Sequence, residues 1–336
     1  AAAWVDGKAF EGGIGKEIAD ALAGLAQNDG KGFNEALSAI APMDSPMVQE
    51  NTIKVSSQLL RSVNEELSGK TSGLSSGDAL NDVTLWAKAY YGESKLDKRA
   101  NYYGFDSESK GVVLGVDKKL NSSVKAGFGV QYDASDIDGH RRKVDADTLT
   151  GFVYGQYKPS AWYVNAVASY GMSDYDEEKY ALGKAIKANY HTDNYAAQLL
   201  TGYELSYVTP EAGIRYNYIK RHGYEDTIGQ HVGGKDMDIL TAVAGLHAKY
   251  EYKKLVPEGY VGLSYDLVSD RDRALVGLSN GSGYVVDGKR LNRFGVEVKA
   301  GLKAYVSDDL SIGISYLGNL RKDYHNHSGF VDLKYE

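Results

Sequence analysis

A Gly-x-Ser-x-Gly motif, formed by Gly277, Ser279 and Gly281, is the part of this sequence that most directly suggests covalent chemistry. In hydrolases the motif presents a nucleophilic serine on a sharp turn between a strand and a helix, beside a histidine base. Here it lies in a Gly- and Ser-rich stretch between two predicted strands. This context predicts an external loop, so we assign no catalytic residue.

Metal and acid–base sites are the second possibility. The run Asp136-Ile-Asp138-Gly139 has the spacing of part of a calcium loop, but Ala134 stands in place of its first acid and Asp145 in place of its closing glutamate. The seven histidines do not cluster, and no spacing brings a nucleophile, a base and an orienting group together. The sequence therefore predicts no enzyme, no metal site and no cofactor.

A charged segment offers binding chemistry instead. Ser45 can cap a helix, Pro46 suits its first position, and Gly69 suits its C-terminal cap. The helix predicted over residues 46–68 is about 33 Å long, close to the hydrocarbon thickness of a bilayer, which is about 30 Å. Its charged residues are Glu50, Lys54, Arg61, Glu65 and Glu66. Because they spread around much of the helix, it cannot face lipid and suits a water-lined channel or a protein surface.

The elements that could surround such a helix begin at Val83, where the sequence alternates with a period of two. Phe128 and Tyr132 share one face of a strand, while Lys125 and Gln131 lie on the other. Turn signals divide this part into twelve predicted strands, at residues 83–93, 109–119, 123–133, 146–158, 161–172, 189–205, 211–221, 237–252, 259–268, 290–306, 309–320 and 328–336. An even number of antiparallel strands is what a closed outer-membrane barrel requires.

Composition excludes several classes of protein. The 336 residues have a mean hydropathy of −0.40, and no stretch of about 18 apolar residues occurs, which excludes a bundle of membrane-spanning helices. A formal charge of −7 argues against a general nucleic-acid binder. The lack of cysteine excludes disulfides and thiolate sites. Composition does not exclude a membrane barrel, because only every second residue of its strands faces lipid and needs to be apolar.

The connections between predicted strands alternate in length. Longer, more polar ones are predicted at residues 94–108, 134–145, 173–188, 222–236 and 269–289, with short turns between them. This alternation places all the short turns at one rim of a barrel. Tyrosine accounts for 27 residues, and an amphipathic ring near a strand end suits the level of lipid head groups. The predicted aromatic girdle comprises Tyr91, Tyr132, Tyr163, Tyr203, Tyr250 and Tyr335.

Several short motifs occur together in one order. They are Trp86 in the first strand, Tyr103-Gly104-Phe105-Asp106, Gly111-x-x-Leu-Gly115-Val-Asp117, Lys125-Ala-Gly127 through Tyr132, and Ser135 to Gly139. In this order and spacing the chain resembles the C-terminal translocator domain of a bacterial autotransporter, the type V secretion family. The run from Glu35 to Pro42 also resembles the helical segment before the barrel in that family.

The resemblance implies an all-β membrane protein, a twelve-stranded antiparallel transmembrane β-barrel with an N-terminal α-helix threaded through its lumen. It places the barrel in the outer membrane of a Gram-negative bacterium. The expected division is residues 1–45 as a helical pre-barrel linker or the end of a passenger, 46–68 as the pore helix, 69–82 as a flexible connector, and 83–336 as the barrel.

The family also implies a function and partners. The barrel would anchor an N-terminal passenger and mediate its export to the cell surface, and it would contact outer-membrane lipid and lipopolysaccharide, the barrel-assembly machinery and periplasmic chaperones. We expect a monomer that does not bind nucleic acid. Some members cut their own linker at an asparagine pair, but no Asn-Asn dipeptide occurs here, so that activity is not carried over. A porin or channel, and a barrel protease or lipase with a loop-borne site, stay as alternatives.

Strand parity predicts which side chains face the lumen and could meet the helix. They are Lys88, Lys125, Gln131, Glu204, Arg215, Glu297, Lys299, Lys303 and Asp332. Lys54 and Arg61 are expected to pair with acids among Glu204, Glu297 and Asp332. Glu50, Glu65 and Glu66 are expected to pair with cations among Lys88, Lys125, Arg215, Lys299 and Lys303.

Overall fold

A computed structural model describes residues 13–42, 46–68, 83–98, 103–278 and 281–335. Several positions singled out in the sequence lie outside these ranges. They are Ser45, Gly69, the connector at 69–82, Ser279 and Glu336.

Twelve antiparallel strands form one closed barrel. They are β1 (Val83–Leu96), β2 (Phe105–Asn121), β3 (Val124–Gly139), β4 (Arg142–Tyr157), β5 (Trp162–Ala181), β6 (Lys184–Tyr203), β7 (Val208–Arg221), β10 (Lys235–Lys249), β11 (Leu255–Ser269), β14 (Phe294–Tyr305), β15 (Leu310–Arg321) and β16 (Tyr324–Tyr335). Each pairs with its neighbour along the chain, and β1 closes the circle on β16 in a register that runs from Leu85↔Tyr335 to Leu96↔Tyr324. The predicted fold class is confirmed.

The barrel wall has its apolar side outside. On β3, Phe128 is 63% exposed and Tyr132 46%, whereas Gln131 and Asp133 on the opposite face are almost fully buried. A soluble barrel would show the reverse pattern, because its apolar side chains fill the interior. An outward apolar face around a polar interior is the pattern of a membrane barrel.

The strands extend further than the sequence indicates at one rim. Residues 134–145 and 173–188, predicted as long loops, continue the β3–β4 and β5–β6 hairpins, which turn at residues 140–141 and 182–183. The turns use positive φ at Arg141 and at the Leu182-Gly183 pair, as tight hairpin turns require. The prediction was wrong here because the outward face becomes charged beyond the membrane belt, as at Asp136, while apolar side chains such as Ile137 and Val144 turn inward. The alternation of the membrane belt therefore reverses, although the backbone ladder continues.

Two other predicted loops contain a small sheet at the same rim. It is built from β8 (Tyr224–Glu225), β9 (His231–Val232), β12 (Arg273–Gly277) and β13 (Gly283–Asp287). We call this end of the barrel the cap rim. The opposite end, with short connections such as residues 122–123 and 158–161, is the turn rim.

Three helices precede the barrel in the described residues: α1 (Gly13–Asn28), α2 (Gly30–Ile40) and α3 (Met47–Ser68). Asp29 caps α2 by accepting a hydrogen bond from the Gly32 amide at 3.0 Å. Ile18, Leu22 and Ile40 of the α1–α2 hairpin pack on Ala181 and Ile186 at the cap rim. The helical character expected before the barrel is present, while the assignment of residues 1–45 to a linker or passenger stays a prediction.

One girdle residue was placed on the wrong face. Tyr163 is 1% exposed and its hydroxyl donates to Glu211 inside the barrel, whereas Trp162 points outward. In a strand, an error of one residue moves a side chain to the other face. The other predicted girdle residues are exposed on the outer surface: Tyr91, Tyr132, Tyr203, Tyr250 and Tyr335. Their contact with head groups stays a prediction.

Glycines under aromatic rings let the lumen accept large side chains. A Cβ at Gly115 would overlap the ring of Trp86, which donates to the Tyr154 hydroxyl at 2.6 Å. Gly115→Val should therefore lower the free energy of unfolding by about 1–3 kcal/mol through overpacking. Gly151→Val is the matched control, because nothing lies within 4 Å of a Cβ at the outward-facing Gly151. Urea titration in detergent micelles would measure both, and equal midpoints would contradict this packing account.

Candidate functional site: the helix inside the barrel

Helix α3 runs through the barrel from one rim to the other. At its start, Met47 contacts Gly139 at the cap rim. At its end, Gln156 donates to the Leu67 carbonyl at 2.9 Å and Lys249 to the Ser68 carbonyl at 3.1 Å, both at the turn rim. Its 22 residues correspond to about 33 Å, so the helix spans the full depth of the wall.

The lumen encloses the helix on nearly every side. Leu59, Leu60 and Val63 pack on Trp86 and Phe152 in one apolar cluster. The polar side chains of α3 are buried too, and several bind the wall directly. These bonds join Thr52 to Tyr175 (3.1 Å), Ser56 to Asn217 (2.8 Å), Gln58 to Ser328 (3.1 Å) and Asn64 to Asn165 (2.6 Å). A helix held this way closes the lumen to large solutes.

Four lysines surround the C-terminal end of α3 and form what we call the lysine ring: Lys88, Lys125, Lys299 and Lys334. Glu65 pairs with Lys88 at 2.5 Å and with Lys299 at 3.0 Å. The adjacent Glu66 pairs with Lys125 at 3.2 Å and with Lys334 at 2.9 Å. Lys88 and Lys334 lie on β1 and β16, so the two glutamates bridge the strands that close the barrel.

A shared carboxylate lies one turn further toward the cap rim. Glu297 is 1% exposed and contacts both Arg61 of the helix and Arg215 of β7, the latter at 2.9 Å. The Arg61 guanidinium also lies 5.5 Å from the centre of the Tyr260 ring. Two buried cations thus share one contacting acid, and Glu211 also lies within electrostatic range of both.

The half of α3 that lies nearer the cap rim carries two further charges. Lys54 donates to the Ser107 hydroxyl at 3.0 Å, with Asp133 within electrostatic range. Glu50 lies within range of Arg321, which itself binds Asp266. Every charged residue of the predicted pore helix is therefore near an opposite charge of the wall.

Of the other residues that were predicted to face the lumen, some contact the helix and some do not. Gln131 donates to the Val55 carbonyl at 3.3 Å, and Lys303 lies within electrostatic range of Glu66. Glu204 does not meet a helix cation: it lies past the end of β6 and pairs with Lys158 at 2.7 Å, because the strand ends at Tyr203. Asp332 lies on β16 opposite Lys88, and no contact of it with Lys54 or Arg61 is found among the described residues.

Some partners were missed by sequence reasoning. Lys334 shares its face with Asp332, so parity could have found it. Asp133 likewise has the parity of Gln131. Ser107 and Arg321 fell near or beyond the predicted strand ends and could not be assigned to a face.

Most of the described residues that were first considered for chemistry lie outside the lumen, but His247 lies inside it, 3.7 Å from Glu258. Asp136 and Asp138 sit within β3 instead of a loop, so the calcium-loop geometry is absent there. His222 contacts Asp193 at 2.7 Å and stacks on His191 on the outer surface. Within the described ranges, no group of three or more His, Asp or Glu side chains is arranged to hold a metal ion.

Buried polar side chains bind the C-terminal end of α2 at the cap rim. Lys179 and Gln230 each donate to the Ile40 carbonyl at 3.3 Å, and Arg142 donates to the Ala41 carbonyl at 2.5 Å. Lys179 also pairs with Asp226 at 3.4 Å, and both side chains are fully buried. Cations next to the last carbonyls of a helix oppose the negative end of its dipole. This arrangement fixes the helical hairpin on the rim.

A second buried ion pair stabilises the same rim. Arg221, at the end of β7, lies 3.5 Å from Asp272 in the connection after β11. Burial raises the pKa of Asp272, and the nearby Arg221 opposes this shift by favouring the charged carboxylate.

Lys179→Met should release the helical hairpin. It leaves Asp226 buried without its cation, so the free energy of local opening should fall by about 3 kcal/mol. Hydrogen exchange of α1 and α2 amides would measure this. Lys184→Met removes an exposed pair with Glu17 from the same barrel hairpin and should cost no more than about 1 kcal/mol. Equal protection of α1 and α2 in the two variants would contradict the role of Lys179.

A family model for the autotransporter beta-domain matches residues 85–317. The chain belongs to the autotransporter β-domain family. Among known relatives of this β-domain, outer membrane protein B of Rickettsia prowazekii (strain Madrid E) is 23% identical over 261 residues, which cover 70% of this chain and 15% of that protein. Outer membrane protein B of Rickettsia typhi is 26% identical over 180 residues, 47% of this chain and 11% of the relative. The chain thus spans only a small part of the length of these relatives.

Solved structures show the same fold. The translocator domain of the autotransporter NalP from Neisseria meningitidis superposes with a TM-score of 0.65 at 16% identity, covering 85% of this chain and 98% of that one. The transport unit of AIDA-I from Escherichia coli gives a TM-score of 0.55 at 14% identity, with 82% and 96% coverage.

The family and its outer-membrane relatives place the β-domain in the outer membrane of a Gram-negative bacterium. Among the described helices, none combines the length and apolar composition needed to cross a bilayer.

Proposed function

We propose that this β-domain anchors and exports a polypeptide segment that precedes it in the chain. The path of α3 carries the proposal. Strand β1 starts at the turn rim, and α3 ends at that same rim but begins at the cap rim. The chain before α3 therefore lies on the side opposite to the start of the barrel, with the lumen as its connection.

The orientation follows from the connections. Outer-membrane barrels carry their short turns on the periplasmic side. With the turn rim in the periplasm, α1 and α2 are outside the cell, and any passenger before them is outside as well. The predicted division into pre-barrel helices, pore helix, connector and barrel fits this path.

Folding by the barrel-assembly machinery and periplasmic chaperones, a monomeric state and contact with lipopolysaccharide belong to the same proposal. The role is one of transport without bond chemistry. The porin alternative is disfavoured because α3 fills the lumen with ion pairs and apolar contacts.

Surface display tests the proposal. A reporter peptide with a secretion signal is fused ahead of Ala1, and intact cells are treated with external protease. The reporter should be cleaved, and the variant with His191 and His222 replaced by alanine should behave identically, because these residues lie away from the lumen. A reporter that stays protected, in cells whose barrel is folded and reachable at the cap rim, would overturn the proposal.

A further inference from the structure

The charges on α3 and on the wall lie at four levels along the barrel axis. From the cap rim, the helix presents Glu50, then Lys54, then Arg61, then the pair Glu65 and Glu66. The wall presents, in the same order, Arg321, Asp133, Glu297 and the lysine ring. The signs along the helix are minus, plus, plus, minus, and each helix charge has an opposite charge of the wall at its level. The wall also carries charges of the other sign: Asp266 beside Arg321, Arg215 beside Glu297, and Asp117 and Glu258 beside the lysine ring.

Sliding the helix toward the cap rim by one turn breaks this match. A four-residue step, about 6 Å, rotates the helix by only about 40° and so keeps roughly the same faces toward the wall. Lys54 would then reach the level of Arg321, and Glu65 would reach that of Glu297. Both contacts join like charges, and the lysine ring would lose both helix carboxylates, so that only Asp117 and Glu258 of the wall would stay paired with it.

Sliding toward the turn rim by one turn fails for the same reason. Arg61 would enter the lysine ring, where four cations already surround Glu65 and Glu66. Glu50 would descend to the level of Asp133. Like charges at such distances in a partly dehydrated lumen repel strongly.

We propose that this pattern is a stop register: it fixes the one axial position at which the exported chain comes to rest in the barrel. The inference rests on the proposed export function. The residues that specify the stop are Glu65 and Glu66 with the lysine ring, assisted by Arg61 with Glu297. Apolar packing of Leu59 and Leu60 holds the helix in the lumen, and the charges select which turn of it faces each level.

The chain has no cysteine, so introduced pairs can report the register. Ser56 and Asn217 are hydrogen-bonded at 2.8 Å, so cysteines at these positions report the native register. Cysteines at Thr52 and Asn217 report a one-turn slide toward the turn rim, and cysteines at Leu60 and Asn217 report a one-turn slide toward the cap rim. Disulfide yield is measured in the full-length protein in detergent.

Two sets of substitutions are then compared in these cysteine backgrounds. Glu65→Gln with Glu66→Gln should lower the 56–217 yield relative to the two slid pairs by roughly tenfold, the ratio that about 1.4 kcal/mol produces. Asp174→Asn with Asp176→Asn is the matched control, since it removes the same charge from outward-facing positions and should leave the yields unchanged.

A relocated acid pair gives the sharpest test. Arg61→Glu, Ser62→Glu, Glu65→Arg and Glu66→Ser together move the acids one turn toward the N-terminus, and the dominant cross-link should change from 56–217 to 52–217. An unchanged 56–217 cross-link in folded protein would overturn the stop register and assign the position to apolar packing. If the relocated variant fails to fold, the glutamine variant decides alone. Cross-linking measures the position of the helix, and protease treatment of intact cells measures export. If the 56–217 cross-link dominates but the reporter is not displayed on the cell surface, the result counts against the proposed function and not against the stop register.

Discussion

Replacing Glu297 by glutamine should lower the free energy of unfolding by about 3–5 kcal/mol, the largest loss expected from any single substitution in the barrel wall. The carboxylate is 1% exposed and is shared by Arg61 and Arg215. Its removal leaves the two guanidinium groups without the acid that both of them contact, and only the more distant Glu211 stays within electrostatic range of both. Tryptophan fluorescence during urea titration in detergent micelles would measure the change.

A surface pair supplies the control. Asp138 and Lys143 lie 3.7 Å apart on β3 and β4, with both side chains more than half exposed. Asp138→Asn should change stability by less than about 1 kcal/mol, because exposed pairs contribute little. Equal small losses for Glu297→Gln and Asp138→Asn would show that Glu297 is not holding the helix against the wall.

Two combined variants can show whether the loss of stability in Glu297→Gln comes from the missing anion or from a general packing defect. Because both arginines depend on Glu297, reversing Arg61 and Glu297 together would leave Arg215 beside a new cation and should rescue stability poorly. Replacing Arg61, Arg215 and Glu297 by methionine removes all three charges of this cluster and should recover much of the loss. No recovery in the triple variant would assign the cost to lost packing instead.

The sequence was sufficient for the features that depend on periodicity. Alternation yielded twelve strands, and parity placed Lys88, Lys125 and Glu297 on the inner face, where the structure has them. The helix was recognisable because its charges surround it at a length that matches a bilayer. These signals are local, and each is repeated over many residues.

Other features depend on information that alternation does not carry. Tyr163 was placed outside because many tyrosines near strand ends suit head groups, yet one residue of offset turned it toward Glu211. In the hairpin extensions the outward face is charged and the apolar side chains turn inward, so the pattern of the membrane belt ends there. The strands of the small sheet have only two to five residues each, too few to show a period. Lys179 and Arg142 hydrogen-bond to the C-terminal end of α2 across about 100 or more positions of sequence. No local sequence pattern indicates such contacts.

Removing α3 should open the barrel. In the intact chain the helix occupies the lumen, and the remaining cavities along its flank are small: the one lined by Lys54, Arg61 and Glu297 is about 50 Å³. The twelve strands close on each other through backbone hydrogen bonds between β1 and β16, which do not require the helix. A barrel without α3 should therefore retain its ladder and gain a polar channel.

Conductance in planar bilayers, compared between the intact chain and one that lacks residues 1–70, tests whether α3 fills the lumen. As a control for folding, the shortened chain should resist unfolding in cold detergent, which shows that its barrel has formed. We expect low conductance for the intact chain and a severalfold increase once the helix is absent. Large and equal conductance in both would contradict a helix-filled translocator and would favour an open porin.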